Sequence, residues 1–443
     1  PSLAGEISRK LDANTFIQGG IKTAGKAVRI NAQLLDASNE EIFKTFQVEG
    51  SSEEDIFLLT DSLSALVRNY MEIRVLESNI EYDLRSGYGT SSAEAFRYYM
   101  NGLNAFFAGN HGDAVQQFKR SIAIDSGFFA AYNWLLEAYE ISGFLGQDYS
   151  QIEHAKQLLD ILLGWDLNQL SHMEQLTFGM IKAKYIDKNP QNYIRQCRLM
   201  LEFDPQQRII WYNLGNAYRE LGQHDKAIEA YEKSIEISKQ WGIQGGWVRS
   251  YQHLADAYHN AGEHKKEAEV LEEGLVHFPG HPDLNRNHAK CAFSRGDSAR
   301  GLDYFAAYKS ATMERDFWSE AEVDRRRSHM YANLAYFDQA EELWRYTIER
   351  EPQSDYHKRC FAEFLILNDV NIDEGLELVN GILEDSPDYY DILFFKGLAL
   401  YKKGQLEDAL KILNIAWDKR LTYRHDHYLA IQEVKAALAR QNL

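Results

Sequence analysis

The chain has 443 residues, too many for one compact core, so two or more domains or a stacked repeat array are expected. Its 45% hydrophobic and 26% charged residues, only 7 Pro, and 26 Tyr with 22 Phe exclude a disordered chain, because aromatic area drives burial. A formal charge of −18 argues against nucleic acid or an anionic membrane surface as the main partner.

Residues 2–12 carry Leu3, Ile7 and Leu11 at helical spacing. The pattern then changes to period two. In Ala27–Leu34, Val28, Ile30, Ala32 and Leu34 share one face, and Arg29, Asn31 and Gln33 the other. Phe16–Thr23 and Glu41–Glu49 are strand-like as well, with turns at Ala24-Gly25-Lys26 and Ala37-Ser38-Asn39-Glu40. Three antiparallel strands with one apolar face need a cover. The stripe Ile56, Leu59, Leu63, Leu66, Val67 and Tyr70 predicts a helix over 53–74 that supplies it, opened by a capping box at Ser51-x-x-Glu54.

Phe16-Ile17-Gln18-Gly19-Gly20-Ile21-Lys22, then Val28-Arg29-Ile30-Asn31-Ala32-Gln33-Leu34-Leu35-Asp36, then Phe46 to Asp55-Ile56-Phe57, resemble the second half of the TolB amino-terminal-like domain. Bacterial proteins carry that domain ahead of helical repeats, often behind a signalling output domain. The resemblance implies that the family's first strand and helix would precede Pro1, and it tilts the expected compartment toward the periplasm. A sheet cut in this way would leave an unpaired edge, a route to homo-oligomers. The expected domain spans residues 1–76, followed by a linker at 77–92, which has no period and two glycines.

From residue 93 a longer period takes over. Trp211-Tyr212-Asn213-Leu214-Gly215-Asn216-Ala217-Tyr218, then Gly222, Ala227, Tyr231 and Ser234, resemble one tetratricopeptide repeat, a helix hairpin of about 34 residues. One such hairpin cannot bury its apolar face alone, so others must stack on it. The small residue at the helix crossing falls at Gly102, Leu136, Gly179, Gly215, Ala255, Ala289, Ser328, Ala362 and Gly397, at intervals of 34, 43, 36, 40, 34, 39, 34 and 35. The 43-residue interval predicts a longer loop or longer helices near 143–170. Asn168 to Gly179 also fits a pattern common in such proteins. Pro205, Pro279, Pro352 and Pro387 each follow a second helix, where proline stops a helix. About nine units over 93–421 are expected, then an amphipathic capping helix over 422–443 bearing Tyr428, Ile431, Val434 and Leu438. The expected fold class is mainly α: a tetratricopeptide α-solenoid preceded by a small α/β domain.

No phosphate-binding loop, dinucleotide fingerprint, zinc-protease or nucleophile-elbow motif occurs. Cys197, Cys291 and Cys360 are widely spaced without any CxxC and read as buried thiols. No apolar run reaches the ~18 residues that span a bilayer. His425-Asp426-His427 reads as an exposed polar turn or cap, since residues two apart on a helix diverge. His259 and His264 flank a repeat turn and read as solvated. Neither a metal nor a cofactor is expected, and no catalytic residue is proposed.

Function is expected on the concave face, formed by the first helix of each unit. Tyr212, Asn216, Arg219, Arg249, Gln252, Arg286, Lys290, Arg325 and His329 fall on it. The set resembles tetratricopeptide carboxylate clamps, which implies that Asn216 bonds a peptide backbone while the basic residues hold a carboxylate. The plainer alternative is that these cations pair with Asp256, Glu322 or Asp324. The sequence thus points to a non-enzymatic protein-binding scaffold or sensor segment of a larger bacterial signalling protein. Its ligand would be a protein or peptide, acidic or ending in a free carboxylate. A second reading gives the α/β piece a small molecule or glycan to sense, with the repeats as a rigid arm. A deep apolar pocket under the sheet would favour that second reading.

Overall fold

A computed structural model describes residues 6–7, 13–52, 55–77, 89–145, 150–241, 247–313, 320–387 and 389–441. The expected helical residues Leu3 and Leu11, the proposed capping residue Glu54 and most of the expected linker (78–88) lie outside the described residues. The chain forms two compact units, Pro1–Ala138 and Tyr139–Leu443.

The first unit opens with β1 (Thr15–Ala24), β2 (Ala27–Asp36) and β3 (Ile42–Gly50), an antiparallel meander in that order. Ile21 pairs with Ile30, and Ile30 with Val48. Period-two alternation places Val28, Ile30, Ala32 and Leu34 on the buried face. Helix α1 (Ile56–Glu77) lays Leu59 and Leu63 on that face, with Phe46, Val48, Ile56 and Val67 filling the interface. The carboxylate of Asp55 caps the preceding turn by accepting from the Ser51 and Ser52 amides.

The cover is narrower than the sequence suggests. Ile17 and Ile21 of β1 are 56% and 57% exposed. A helix is about 10 Å across and strands lie about 4.8 Å apart, so one helix shields two strands and leaves the third open. A helix hairpin follows in the same unit, α2 (Ala93–Phe107) and α3 (His111–Ile124). Ser92 caps α2 by accepting from the Ala95 amide, and Phe96, Tyr99, Phe118 and Phe128 fill its core. The boundary between units falls inside α4 (Phe129–Leu145).

The second unit continues with α5 (Ser150–Leu163), a 3-10 turn at Leu167–Gln169, and α6 (His172–Ile181), which runs into a π turn over Lys182–Ile186. The long interval after Leu136 is taken up by α4 and this 3-10 turn. Ser171 and Glu174 form a reciprocal capping box at the start of α6. Then come α7 (Pro190–Phe203), α8 (Arg208–Glu220), α9 (His224–Gln240), α10 (Val248–Asn260), α11 (His264–His277), α12 (Pro282–Ser294) and α13 (Ser298–Met313). The unit ends with α14 (Glu320–Asn333), α15 (Phe337–Arg350), α16 (Asp355–Leu367), α17 (Ile372–Asp385), α18 (Tyr390–Lys402), α19 (Leu406–Lys419) and α20 (His425–Gln441). This is the expected helix-hairpin solenoid behind a three-stranded sheet.

The crossing residues explain why the hairpins close. A Cβ on Gly215 would stand 2.6 Å from the Tyr231 ring, and one on Gly397 would stand 2.7 Å from Leu413 Cγ. The bulky side chain sixteen residues later fills the space left by the small one, and Trp344 does the same opposite Ser328. Seven residues after the crossing the chain turns in the left-handed region, at Gly222, Gly262, Gly296 and Gly404. Ala335 and Asp369 hold that same position with φ of 60° and 56°. Buried clusters run along the array, and Ala430, Ile431 and Val434 of α20 belong to the one nearest its end.

The end of the array returns to its beginning. The His425 backbone amide donates to Glu220 Oε1 at 2.9 Å, and Lys188 Nζ donates to the Arg420 carbonyl at 2.5 Å. These two hydrogen bonds join residues more than two hundred positions apart.

Candidate functional site

The first helix of each hairpin carries the expected inner-wall residues, which fall six and three before the crossing residue and one after it. This i, i+3, i+7 series makes one helical stripe. From α10 to α16 the stripe carries both cations and carboxylates.

At α8, Tyr212 is buried and its hydroxyl lies 2.9 Å from His253 Nδ1. Asn216 Oδ1 accepts from the Tyr231 hydroxyl at 2.7 Å and lies 2.9 Å from the same His253 nitrogen. Burial and the nearby Arg219 push His253 down to about 3, so it is neutral. Arg219 is partly buried beside Tyr231 and Asp256, and its Nε has no hydrogen-bond partner.

On α10, Arg249 lies 5.7 Å from the Trp247 ring, and Gln252 is buried. On α12, Arg286 lies 3.6 Å from Asp283, and Lys290 lies 3.3 Å from Asp256 on α10. On α14, Arg325 grips Glu322 through two nitrogens, at 2.6 and 2.5 Å. Burial alone would raise the Glu322 carboxyl, but the Arg325 and His357 hydrogen bonds and the Arg325 and Arg326 charges hold it well below the usual range. His329 lies among Arg325, Arg359 and Glu322, and burial with these cations pushes it down to about 3.

The structure thus joins the expected residues in two groups. Tyr212, Asn216 and Arg219 share the His253 neighbourhood, while Arg325 and His329 share the Glu322 one. Lys290, Arg286 and Arg325 each have a carboxylate beside them, two of them (Asp256 and Glu322) foreseen as partners and Asp283 not.

Several wall residues escaped the sequence reading. Asp283, Arg359, Glu363 and Asp391 continue the stripe, His253 and Arg326 lie one position off it, and Arg424 stands just before α20. Arg326 bridges Asp283 at 3.1 Å and Glu322 at 2.9 Å. Arg424 lies 3.7 Å from Asp391 and 2.9 Å from Asp426. Burial raises the Glu363 and Asp391 carboxyls above their ordinary values, with the Asp391 charge adding to the first and the Asp426 charge to the second. Arg359 Nε, like Arg219 Nε, is buried without a hydrogen-bond partner. A signal for Arg359 and Glu363 was present, since they hold the same places relative to Ala362 as Arg325 and His329 hold relative to Ser328.

Two histidine readings need correction. His427 is not an exposed cap residue. It is 2% exposed and stacks on Phe394 at 3.7 Å between centroids, because the first turn of α20 packs into the open end of the array. His259 and His264 are not simply solvated: both turn Nδ1 toward Glu267, which is 1% exposed. The turn between them brings the two rings back over the start of α11. All three cysteines are free and buried, as read from the sequence, and burial pushes Cys197 and Cys291 up to about 12. Among the described residues, no helix is long and apolar enough to cross a membrane.

Two family models described as tetratricopeptide repeat match the chain, over residues 209–240 and 371–418. Among solved structures, a tetratricopeptide repeat protein from Parabacteroides merdae is similar at 12% identity and a TM-score of 0.37, over 59% of this chain and 98% of that one. MamA is similar at 16% identity and a TM-score of 0.27, over 49% and 97%. The P58(IPK) TPR domain is similar at 14% identity and a TM-score of 0.25, over 79% and 99%. With hairpins, crossing residues and turns in register along the helical part, the chain carries tetratricopeptide repeats, the units of protein–protein interaction scaffolds.

Proposed function

We propose that the inner wall between α8 and α18 binds an extended protein segment rich in carboxylates or ending in one. The observation that carries this reading is a pair of buried guanidinium donors, Arg219 Nε and Arg359 Nε, with no acceptor. Buried donors left unpaired are unfavourable by about 1–3 kcal/mol each, and a ligand carboxylate or carbonyl removes that penalty. Arg249, seated against Trp247, adds a third cation near the first. Asn216 offers its Nδ2 to a peptide carbonyl, while Tyr231 and His253 fix its orientation. Arg286, Lys290, Arg325, Gln252 and His329 extend the surface, and a ligand acid there competes with Asp283, Asp256 and Glu322.

The same reading makes residues 1–76 a TolB-like piece of a signalling protein. It is supported by the strand–strand–strand–helix order and by the residues of β1 and β2 that resemble that family.

The test uses a fluorescein-labelled acidic octapeptide with a free carboxyl terminus, compared with its amidated form and a basic octapeptide, by fluorescence anisotropy on the full chain. The acidic peptide should bind in preference to the basic one. Arg219→Ala with Arg249→Ala should weaken it by about tenfold or more, the loss expected for charged hydrogen bonds. Equal binding of the basic peptide, or unchanged affinity in the double variant, would overturn the proposal.

A further inference from the structure

A second constellation lies at the turn between α10 and α11. His259 closes α10, and Ala261-Gly262-Glu263 turn the chain, with Gly262 at φ 74°. His264 and Glu267 then sit on the first turns of α11. His259 Nδ1 lies 3.0 Å from both Glu267 oxygens, and His264 Nδ1 lies 2.9 Å from Oε2. The two ring centroids are 5.1 Å apart at 60°. One ligand atom from each of the three residues lies within 4.8 Å of the others. Cys291 of α12 approaches from the next hairpin, its Sγ 3.6 Å from the His264 carbonyl and facing the Glu267 carboxylate.

From this convergence we infer that His259, His264 and Glu267 form a divalent transition-metal site suited to zinc. Bonds of about 2.0–2.1 Å to nitrogen and oxygen in a tetrahedral site set ligand atoms about 3.3 Å apart. The two His–Glu spacings, 3.0 and 2.9 Å, open to that with shifts of a few tenths of an ångström. The His-x4-His spacing matches the second half of common zinc sites. Two imidazoles with one carboxylate suit zinc or cobalt, whereas calcium and magnesium take all-oxygen shells. Glu267 is buried, but the His264 side chain is 32% exposed, so an ion enters from the histidine side. Cys291 lies beside Glu267 but outside the group of three. Lys290 and Arg295 lie near and oppose the ion's charge, which the Glu267 carboxylate offsets.

Bound metal would tie α10 to α11 through three side chains. That is a structural role, independent of the peptide-binding wall.

The test strips the full chain with EDTA and titrates zinc by calorimetry and cobalt by visible absorption. One zinc equivalent should bind more tightly than the remaining histidines do, and it should raise the unfolding temperature. Cobalt should give the strong visible bands of a four-coordinate ion, with a thiolate band in the near ultraviolet if Cys291 joins. His264→Ala, at a partly exposed first-turn position, should keep its helical circular dichroism and lose affinity by at least about tenfold. Should that variant unfold, His264→Gln provides the same comparison. Zinc uptake equal in native and variant chains, or no tight equivalent in the native chain, would overturn the site and leave a hydrogen-bonded turn. Peptide binding should be insensitive to EDTA, so either proposal can fail alone.

Discussion

His253, His329 and His427 have the same fate at different places in the second unit. Burial and neighbouring arginines hold each down to about 3, so all three are neutral in the folded chain at any ordinary pH. When the chain unfolds they take protons near 6.5. The unfolded state therefore binds more protons between about 6.5 and 3, and these groups make stability fall as pH falls through that window. Glu363 and Asp391, with carboxyls above their ordinary values, work in the opposite direction by taking up protons in the folded state first. The direct measurement is a histidine NMR titration. Of the 14 imidazoles, these three should show no protonation shift down to pH 5. A midpoint near 6 for His329 would show that its surroundings are wetter than the structure indicates. None of this was legible from single residues, because the sequence marks His329 as polar and surface-facing while its burial comes from Trp344 and Phe361, which belong to two other helices.

At the scale of the hairpin, the turn position is the informative one. Where glycine holds it, as at Gly222 and Gly404, the repeat stood out in the sequence. Where Ala335 and Asp369 hold it, the glycine signal is missing although the helices and crossing are intact. Only conformation links the two sets. A non-glycine residue in the left-handed region is unfavourable by about 1–2 kcal/mol, partly offset by the greater chain entropy glycine loses on folding. Ala335→Gly should therefore stabilise the chain by about 0.5–1 kcal/mol, read as a higher urea midpoint at unchanged slope. A lower midpoint would mean that the Ala335 methyl makes a contact worth more than the strain. The strands and their facing were legible for a similar reason, since period two has one reading. That a single helix leaves β1 uncovered was not, because pattern gives a face and not its width.

Across the second unit, the decisive contacts are those that join its end to its start. Nothing periodic announces them. Glu220 and His425, Lys188 and Arg420 are far apart in sequence and belong to no shared motif, so the closing of the array lay beyond sequence reasoning while its hairpins did not. Glu220→Ala with Lys188→Met should release residues 420–428 to faster hydrogen exchange while 390–413 stay protected by the buried cluster around Leu398 and Leu413. Equal protection in the variant would mean that the cap is held by its apolar face alone. Repeat arrays ordinarily change length by duplicating or losing a unit, since each unit touches only its neighbours. Here a gained or lost hairpin between Glu220 and His425 would carry one partner of the closing contact past the other. The number of hairpins in this stretch is therefore fixed by geometry, and insertions should be tolerated in its loops but not as whole units.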